Sequence, residues 1–333
     1  MNKASSIAEY LDDTLINRYV YGHLSRQERL QIIDSIKSCL PSDFKKIENK
    51  NLQYFLELSD EKIEMQDGFS DINLQSVNDL INDELSFEKL IKKNDNLDFS
   101  YKNFEKKTYI YPITNLENYD LNHPVIKLAT NPTILSSIAN YMGEAPILWN
   151  TKIVFSPYKP TNKKDNLLTR IRNLRYKGGF SKYKGSQLFH IDADHPHTVK
   201  LWLYLSDVNQ DSGPLTFIPG NYSDQAIHDL GKNSTNKQLD KDLKNYINKK
   251  RTLTRKAESV FLIDTGRCLH YGSRDVKSKE GRLALIIQYT SIFSEYLFYK
   301  KNTKAAKSRI NKFLKNGSNP TIDKLLRYKD YIL

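Results

Sequence analysis

Six residues, Gln187-Leu188-Phe189-His190-Ile191-Asp192, constrain this chain more than any other stretch. His190 and Asp192 stand two positions apart, so on an extended strand end their side chains project from one face. His270, far downstream, can close a triangle with them. Two imidazoles and one carboxylate on one face of a metal leave the opposite positions open, and this donor set suits a non-haem Fe(II) centre that admits a co-substrate and O2.

A His-x-Asp triplet alone is a weak signal, and its surroundings sharpen it. In Thr198 to Leu205, Val199, Leu201, Leu203 and Leu205 alternate with Lys200, Trp202 and Tyr204, which predicts a long β-strand. Residues 206–213 read as a polar turn, and Pro214 to Tyr222 as a short strand closed by another turn at Gly220-Asn221-Tyr222. Ser259 to Asp264 is a third, mostly apolar strand leading into Thr265-Gly-Arg-Cys-Leu-His270, and Arg282 to Tyr289 is a fourth that begins with the arginine.

With these pieces in place, the chain resembles the phytanoyl-CoA dioxygenase family of Fe(II)- and 2-oxoglutarate-dependent oxygenases. The resemblance rests on Gln187 to Asp192, Leu203 to Val208, Ser212 to Gly220, Asp264 to His270 and Arg282, in the family's order, over roughly residues 125–292. It implies a double-stranded β-helix, the cupin-like jelly roll, in a mainly β (α+β) chain with helical additions at both ends. It implies His190, Asp192 and His270 as iron ligands and Arg282 as partner of the far carboxylate of 2-oxoglutarate, with O2 as the other co-substrate. Arginine suits that role because its planar fork binds a carboxylate through two hydrogen bonds and stays charged when buried. Gln187, Lys200 and Trp202 are further candidate contacts to the co-substrate. For Lys200, a contact to its near end stands level with an outward stem lying over Trp202; Lys152 is a weaker candidate of the same kind. The implied reaction is hydroxylation of a small organic substrate with release of succinate and CO2. The chain departs from the family pattern at Gly220-Asn221-Tyr222, where Gly-Ser-His is usual, and at Glu258 or Ser259, where a glycine is usual.

Length and composition bound the rest. A chain of 333 residues with 39% hydrophobic content can bury one sizeable core, so residues 1–333 read as a single catalytic domain. Residues 1–124 read as mostly helical, 125–292 as the jelly-roll core and 293–333 as a basic helical extension. Ser25-Arg-Gln-Glu28 is a capping box before Leu30, Ile33, Ile36 and Leu40, and Pro41 ends that helix. Residues 60–96 read as surface helices and loops. Residues 133–141 predict a helix ended by Gly143, and residues 146–155 a strand entering the barrel. The start of the chain lacks an apolar signal core and no run is long enough to span a bilayer, so a cytoplasmic protein without a membrane span is expected. Cys39 and Cys268 are too few for a disulfide framework or a zinc knuckle, and Cys268 reads as a small packed side chain.

The net charge of +12 is unevenly placed. Between residues 160 and 186, Lys163, Lys164, Arg170, Arg172, Arg175, Lys177, Lys182 and Lys184 face Asp165 alone. This segment reads as a solvated basic loop or as a lid over the metal mouth that attracts an anionic substrate. The competing function is a non-catalytic jelly roll whose basic loop and tail bind nucleic acid or an acidic partner. The complete ligand set argues against it, and nucleic acid is not the expected partner. His195 and His197 offer an alternative metal set near the motif, although Pro196 and their loop position suit the substrate mouth better, and Asp194 could replace Asp192 only against the two-residue spacing that the resemblance implies. His23, His123 and His228 read as ordinary histidines.

Overall fold

The computed structural model describes residues 25–39, 42–85, 109–115, 122–158, 183, 185–192, 196–231, 237–291 and 325. Two helices come first, α1 (Arg26–Cys39) and α2 (Ser42–Leu56), then strand β1 (Phe69–Ile72) and helix α3 (Gln75–Leu80). After β2 (Tyr111–Asn115) come α4 (Pro124–Ala129), α5 (Pro132–Met142), β3 (Pro146–Ser156), β4 (Val199–Tyr204) and β5 (Thr216–Phe217). Helix α6 (Gly220–Leu230) precedes β6 (Arg251–Thr252), β7 (Val260–Asp264), β8 (His270–Tyr271) and β9 (Arg282–Ser291).

Two antiparallel sheets make the core. The larger runs β1-β7-β4-β9-β3-β2 and the smaller β6-β5-β8. Alternation along the central strands sorts side chains between two layers. Val199, Leu201 and Leu203 of β4, Val260 and Leu262 of β7, and Leu285, Ile287 and Tyr289 of β9 pack under α4 and α5. Their neighbours Trp202, Tyr204, Phe261, Ile263, Ala284 and Ile286 face the other way and meet Phe217 of the smaller sheet. The chain is therefore a jelly roll, with helices on the outside of its larger sheet and the space between the sheets lined by residues of both.

Local signals account for several boundaries. Ser25 and Glu28 cap α1 reciprocally, the Glu28 amide donating to Ser25 Oγ (3.3 Å) and the Ser25 amide to Glu28 Oε2 (2.8 Å). Asn131 caps α5, and Gly143 ends it at φ 64°, a left-handed position that glycine adopts without a side-chain clash. The segment expected to be mostly helical carries α1, α2 and α3 and also supplies both edge strands of the larger sheet, β1 and β2. Four residues, Phe-Ser-Asp-Ile, are too few to show a strand period. They pair because β7 has an open edge and Phe69 can stack on Phe217 at 5.0 Å. Gly220-Asn221-Tyr222 is the first turn of α6 and no simple turn. A Cβ at residue 220 would lie 2.6 Å from Arg267 Nε, so glycine lets the helix dock there. Most of the basic segment 160–186 and all of 293–333 except Leu325 lie outside the described residues. Among the described residues, no helix is long and apolar enough to cross a membrane.

Candidate metal centre

His190 and His270 are brought together by a reciprocal backbone pair, His190 N to His270 O at 3.0 Å and His270 N to His190 O at 2.9 Å. Side chains of directly opposed residues share a face. Phe217, opposite His270 on β5, lies in the cluster between the sheets, so both imidazoles face that space, their ring centroids 4.3 Å apart. Phe189 and Tyr271, one position along, turn to the outer cluster beneath α6. The Asp192 amide donates to Thr265 O (2.7 Å), which ties the carboxylate to the turn before His270. One ligand atom from each of His190, Asp192 and His270 lies within 4.8 Å of the others.

Each ring is held in one tautomer. His190 Nδ1 lies 2.9 Å from Leu188 O and His270 Nδ1 lies 2.9 Å from Cys268 O. A carbonyl only accepts, so both Nδ1 atoms donate and both Nε2 lone pairs point inward, the arrangement of metal-ligating histidines. Burial, with the charges of His270 and Lys237, pushes His190 well below the usual imidazole range. Burial also lowers His270 to about 4, with Asp192 opposing and Lys200 assisting. For Asp192 burial works upward, yet the Lys200 ammonium and then the two imidazoles outweigh it and hold the carboxyl well below its ordinary value.

Lys200 lies on the inward face of β4, and its Nζ meets Asp192 Oδ2 at 2.5 Å. This contact to Asp192 is one that neither reading of Lys200 named. Trp202, next on that face, is 5% exposed and stacks on Phe261. The Arg282 guanidinium lies 5.7 Å from the Trp202 ring. Arg282 is fully buried and touches no carboxylate among the described residues. Its Nη2 donates to Ser156 Oγ (3.2 Å) and Ser273 Oγ (3.0 Å). Burial lowers its pKa, against Tyr204. Arg282 Nε and Nη1 and Trp202 Nε1 meet no acceptor among the described residues. Buried donors are rarely left so, and they point to an acceptor that completes them. A Cβ at Gly272 would come within 3.3 Å of Arg282 Nη2, so glycine keeps that approach open. Gln187 Nε2 donates to Ser273 O at 2.6 Å, one step behind the serine that holds Arg282.

Other candidates fall elsewhere. His197 is turned away from the metal triangle: its Nδ1 pairs with buried Asp264 at 2.9 Å and its Nε2 meets Arg26 at 3.2 Å. Tyr141 also donates to Asp264, which in turn accepts the Gly266 amide. This network braces the turn that carries His270, and no sequence pattern signals it. Asp194 and His195 lie outside the described residues. His123 caps α4 and His228 is exposed. Ser156, Ser273 and Lys237 were not legible as site residues, since single serines and a lysine carry no spacing signal.

The phytanoyl-CoA dioxygenase family profile matches residues 184–284, the stretch that holds all three triangle residues and Arg282. Over these residues the chain is similar to the phytanoyl-CoA dioxygenase family. Comparison with curated proteins over the whole chain gives no match. Among solved structures, the chain is similar to SnoN, a non-haem α-ketoglutarate-dependent epimerase of nogalamycin biosynthesis. Identity is 16%, coverage 51% of this chain and 56% of that one, and the TM-score 0.31, so this match spans little more than half of that SnoN chain. It is also similar to AviO1 from Streptomyces viridochromogenes Tue57 (14% identity, 68% and 91% coverage, TM-score 0.39). EctD from S. alaskensis in its apoform gives 13% identity, 71% and 78% coverage, and a TM-score of 0.42.

Proposed function

We propose that this protein is an Fe(II)- and 2-oxoglutarate-dependent dioxygenase that hydroxylates a small, anionic organic substrate. One observation carries the reading: two tautomer-locked imidazoles and a carboxylate converge within 4.8 Å, in a fold that also buries Arg282 with no counter-ion among the described residues. The donor set fits Fe(II), with His190 Nε2, Asp192 and His270 Nε2 as ligands. The orphaned donors of Arg282 fit the far carboxylate of 2-oxoglutarate, with Ser156 and Ser273 orienting the guanidinium and Trp202 Nε1 offering a further donor.

The overall change converts R–H, O2 and 2-oxoglutarate into R–OH, succinate and CO2. Bound iron with 2-oxoglutarate supplies the O2 activation that no side chain can provide. The protein's residues bind, orient and exclude water. The reciprocal His190–His270 backbone pair fixes the spacing of two ligands, and Thr265 O fixes the third. Lys200 holds Asp192 Oδ2 and so leaves Oδ1 the freer ligand atom. Phe217, Trp202 and Phe261 form an apolar floor that keeps bulk water from the reacting face. The cationic segment 160–186 favours an anionic substrate.

The test is succinate release by the Fe(II)-loaded protein across a panel of small organic acids and phosphorylated metabolites, with product mass gaining one oxygen. Succinate formation that stays at the substrate-free level throughout, together with no visible charge-transfer band on anaerobic addition of Fe(II) and 2-oxoglutarate, would sink the reading.

A further inference from the structure

Between β8 and β9 the chain passes through two left-handed residues that are not glycine, Ser273 at φ 60° and Asp275 at φ 45°. Such backbone persists only where its surroundings over-determine it. Arg274, which stands between them and is buried, supplies that hold. Its Nε donates to Gln187 O and its Nη1 to Asp240 Oδ2 at 2.9 Å, so one guanidinium ties the turn to two separate segments. Its flat face lies over the Tyr271 ring, 3.5 Å from the centroid, with the Phe189 centroid 5.3 Å away. Those two rings follow His270 and precede His190 in the chain, yet they lie in the outer cluster, on the side away from the metal triangle. An arginine suits this place because its planar fork donates in two directions while its face stacks.

The serine held in this turn is the one that meets Arg282. Ser273 Oγ accepts from Arg282 Nη2 at 3.0 Å and lies 2.7 Å from Ser156 Oγ. The Ser273 amide donates to Gly213 O at 3.1 Å, and its carbonyl accepts from Gln187 Nε2 at 2.6 Å. Gln187 is thus gripped at both ends, its carbonyl by Arg274 and its side chain by Ser273 O. A residue that leaves the left-handed region swings its Cβ, so relaxation of this turn would carry the hydroxyl off the Arg282 fork. We infer that Arg274 is a positioning residue for co-substrate binding: by gripping Gln187 and Asp240 it keeps the Ser273 turn left-handed and the Ser273 hydroxyl on Arg282. The inference rests on the oxygenase reading above, in which Arg282 receives 2-oxoglutarate.

The test uses the full chain loaded anaerobically with Fe(II) and titrated with 2-oxoglutarate, followed by the visible charge-transfer band and by calorimetry. Arg274→Lys keeps the charge and the aliphatic stem but loses the two-way fork. It should weaken 2-oxoglutarate binding about tenfold, the scale of one lost charge-assisted contact. Ser273→Ala should weaken it by a similar factor, and the double variant by no more than Ser273→Ala alone, because the arginine acts through that hydroxyl. Fe(II) affinity should stay within about twofold in all three variants. An arginine with a merely structural role would give multiplied losses, about a hundredfold in the double variant, and that result overturns the inference. Unchanged 2-oxoglutarate binding in Arg274→Lys overturns it too, as does weakened Fe(II) binding, which would route the effect through His270. Should Arg274→Lys not fold, Asp240→Ala at the exposed end of the clamp replaces it: 2-oxoglutarate binding about twofold to threefold weaker is expected, and unchanged binding overturns the inference. A band that never forms in the wild type sinks the oxygenase reading and this inference with it, whereas the other adverse outcomes leave that reading standing.

Discussion

Lys200 Nζ sits 2.5 Å from Asp192 Oδ2, so the carboxylate offered to the metal is already paired with an ammonium from the neighbouring strand. His270 Nε2 approaches the same oxygen at 3.7 Å, and His190 Nε2 approaches Oδ1 at 3.9 Å. The lysine thus neutralises part of the carboxylate's charge. Lys200→Met should destabilise the metal-free protein by roughly 1–3 kcal/mol, the cost of leaving a part-buried carboxylate without its partner. A divalent ion should then rescue the variant, so Zn(II) should raise its Tm more than that of the wild type. Thermal unfolding of both proteins with and without Zn(II) decides it. An equal Zn(II) effect would show that the pair is not coupled to the metal.

The three-ligand set has no spare member among the described residues. His190→Ala, Asp192→Ala and His270→Ala should each abolish stoichiometric iron binding and turnover while leaving a cooperative unfolding transition. Metal analysis after desalting, alongside thermal unfolding, reads both. Normal iron content in any one variant would remove that residue from the site.

Arg282 should act on the co-substrate and hardly on the metal, because Ser156 and Ser273 hold its Nη2 while its Nε and Nη1 meet no acceptor among the described residues. Arg282→Gln should cost on the order of 2–5 kcal/mol in 2-oxoglutarate binding, as for loss of one partner of a buried charge pair. Steady-state KM for 2-oxoglutarate, measured beside Fe(II) affinity, separates the two effects. An unchanged KM would pass the role to another cation, Lys200 first.

The central strands and the ligand motif were legible because period-two alternation and a fixed two-residue spacing are local. Val199 to Tyr204 sorts its side chains between layers as its alternation predicts. The edge strands were not legible. Phe69–Ile72 forms a strand through pairing with β7, and nothing in four residues encodes a partner nearly two hundred positions away. The same holds within the site. Ser156 and Ser273 reach Arg282 only because β3 and the segment after β8 converge on the start of β9. The departure at the usual glycine position has a local physical meaning, and it yields a prediction.

Glu258, which with Ser259 marks the place where the resembled family usually has a glycine, has a φ of 70°. A side chain in that left-handed region is strained, and this one is exposed. The backbone is nevertheless held there, the Glu258 amide donating to Tyr204 O at 2.7 Å at the entry to β7. Glu258→Gly should therefore stabilise the fold by roughly 0.5–1 kcal/mol, the relief of strain exceeding glycine's extra entropy in the unfolded chain. Urea unfolding at neutral pH measures it. A destabilised variant would show that the carboxylate makes a contact outweighing the strain.

Away from the metal, Glu48 of α2 gives the fold a dependence on pH. It is 9% exposed and accepts the Ala145 amide at 3.1 Å, close to Glu144, which Lys37 holds at 2.6 Å. Burial, and after it the neighbouring Glu144 charge, raise its pKa from 4.5 to about 7, against the pull of the Ala145 amide and Lys37. The folded state thus favours the neutral acid. That contribution is complete below pH 4.5 and disappears as pH rises through about 7, where the buried group must ionise. It amounts to on the order of 3 kcal/mol between those limits. Glu48→Gln keeps an acceptor for the Ala145 amide and cannot ionise. Urea unfolding at pH 5 and pH 8 should show the wild type losing about 2–3 kcal/mol more than the variant across that interval. Parallel losses in the two proteins would place the titration elsewhere and return Glu48 to the role of an ordinary buried hydrogen-bond acceptor.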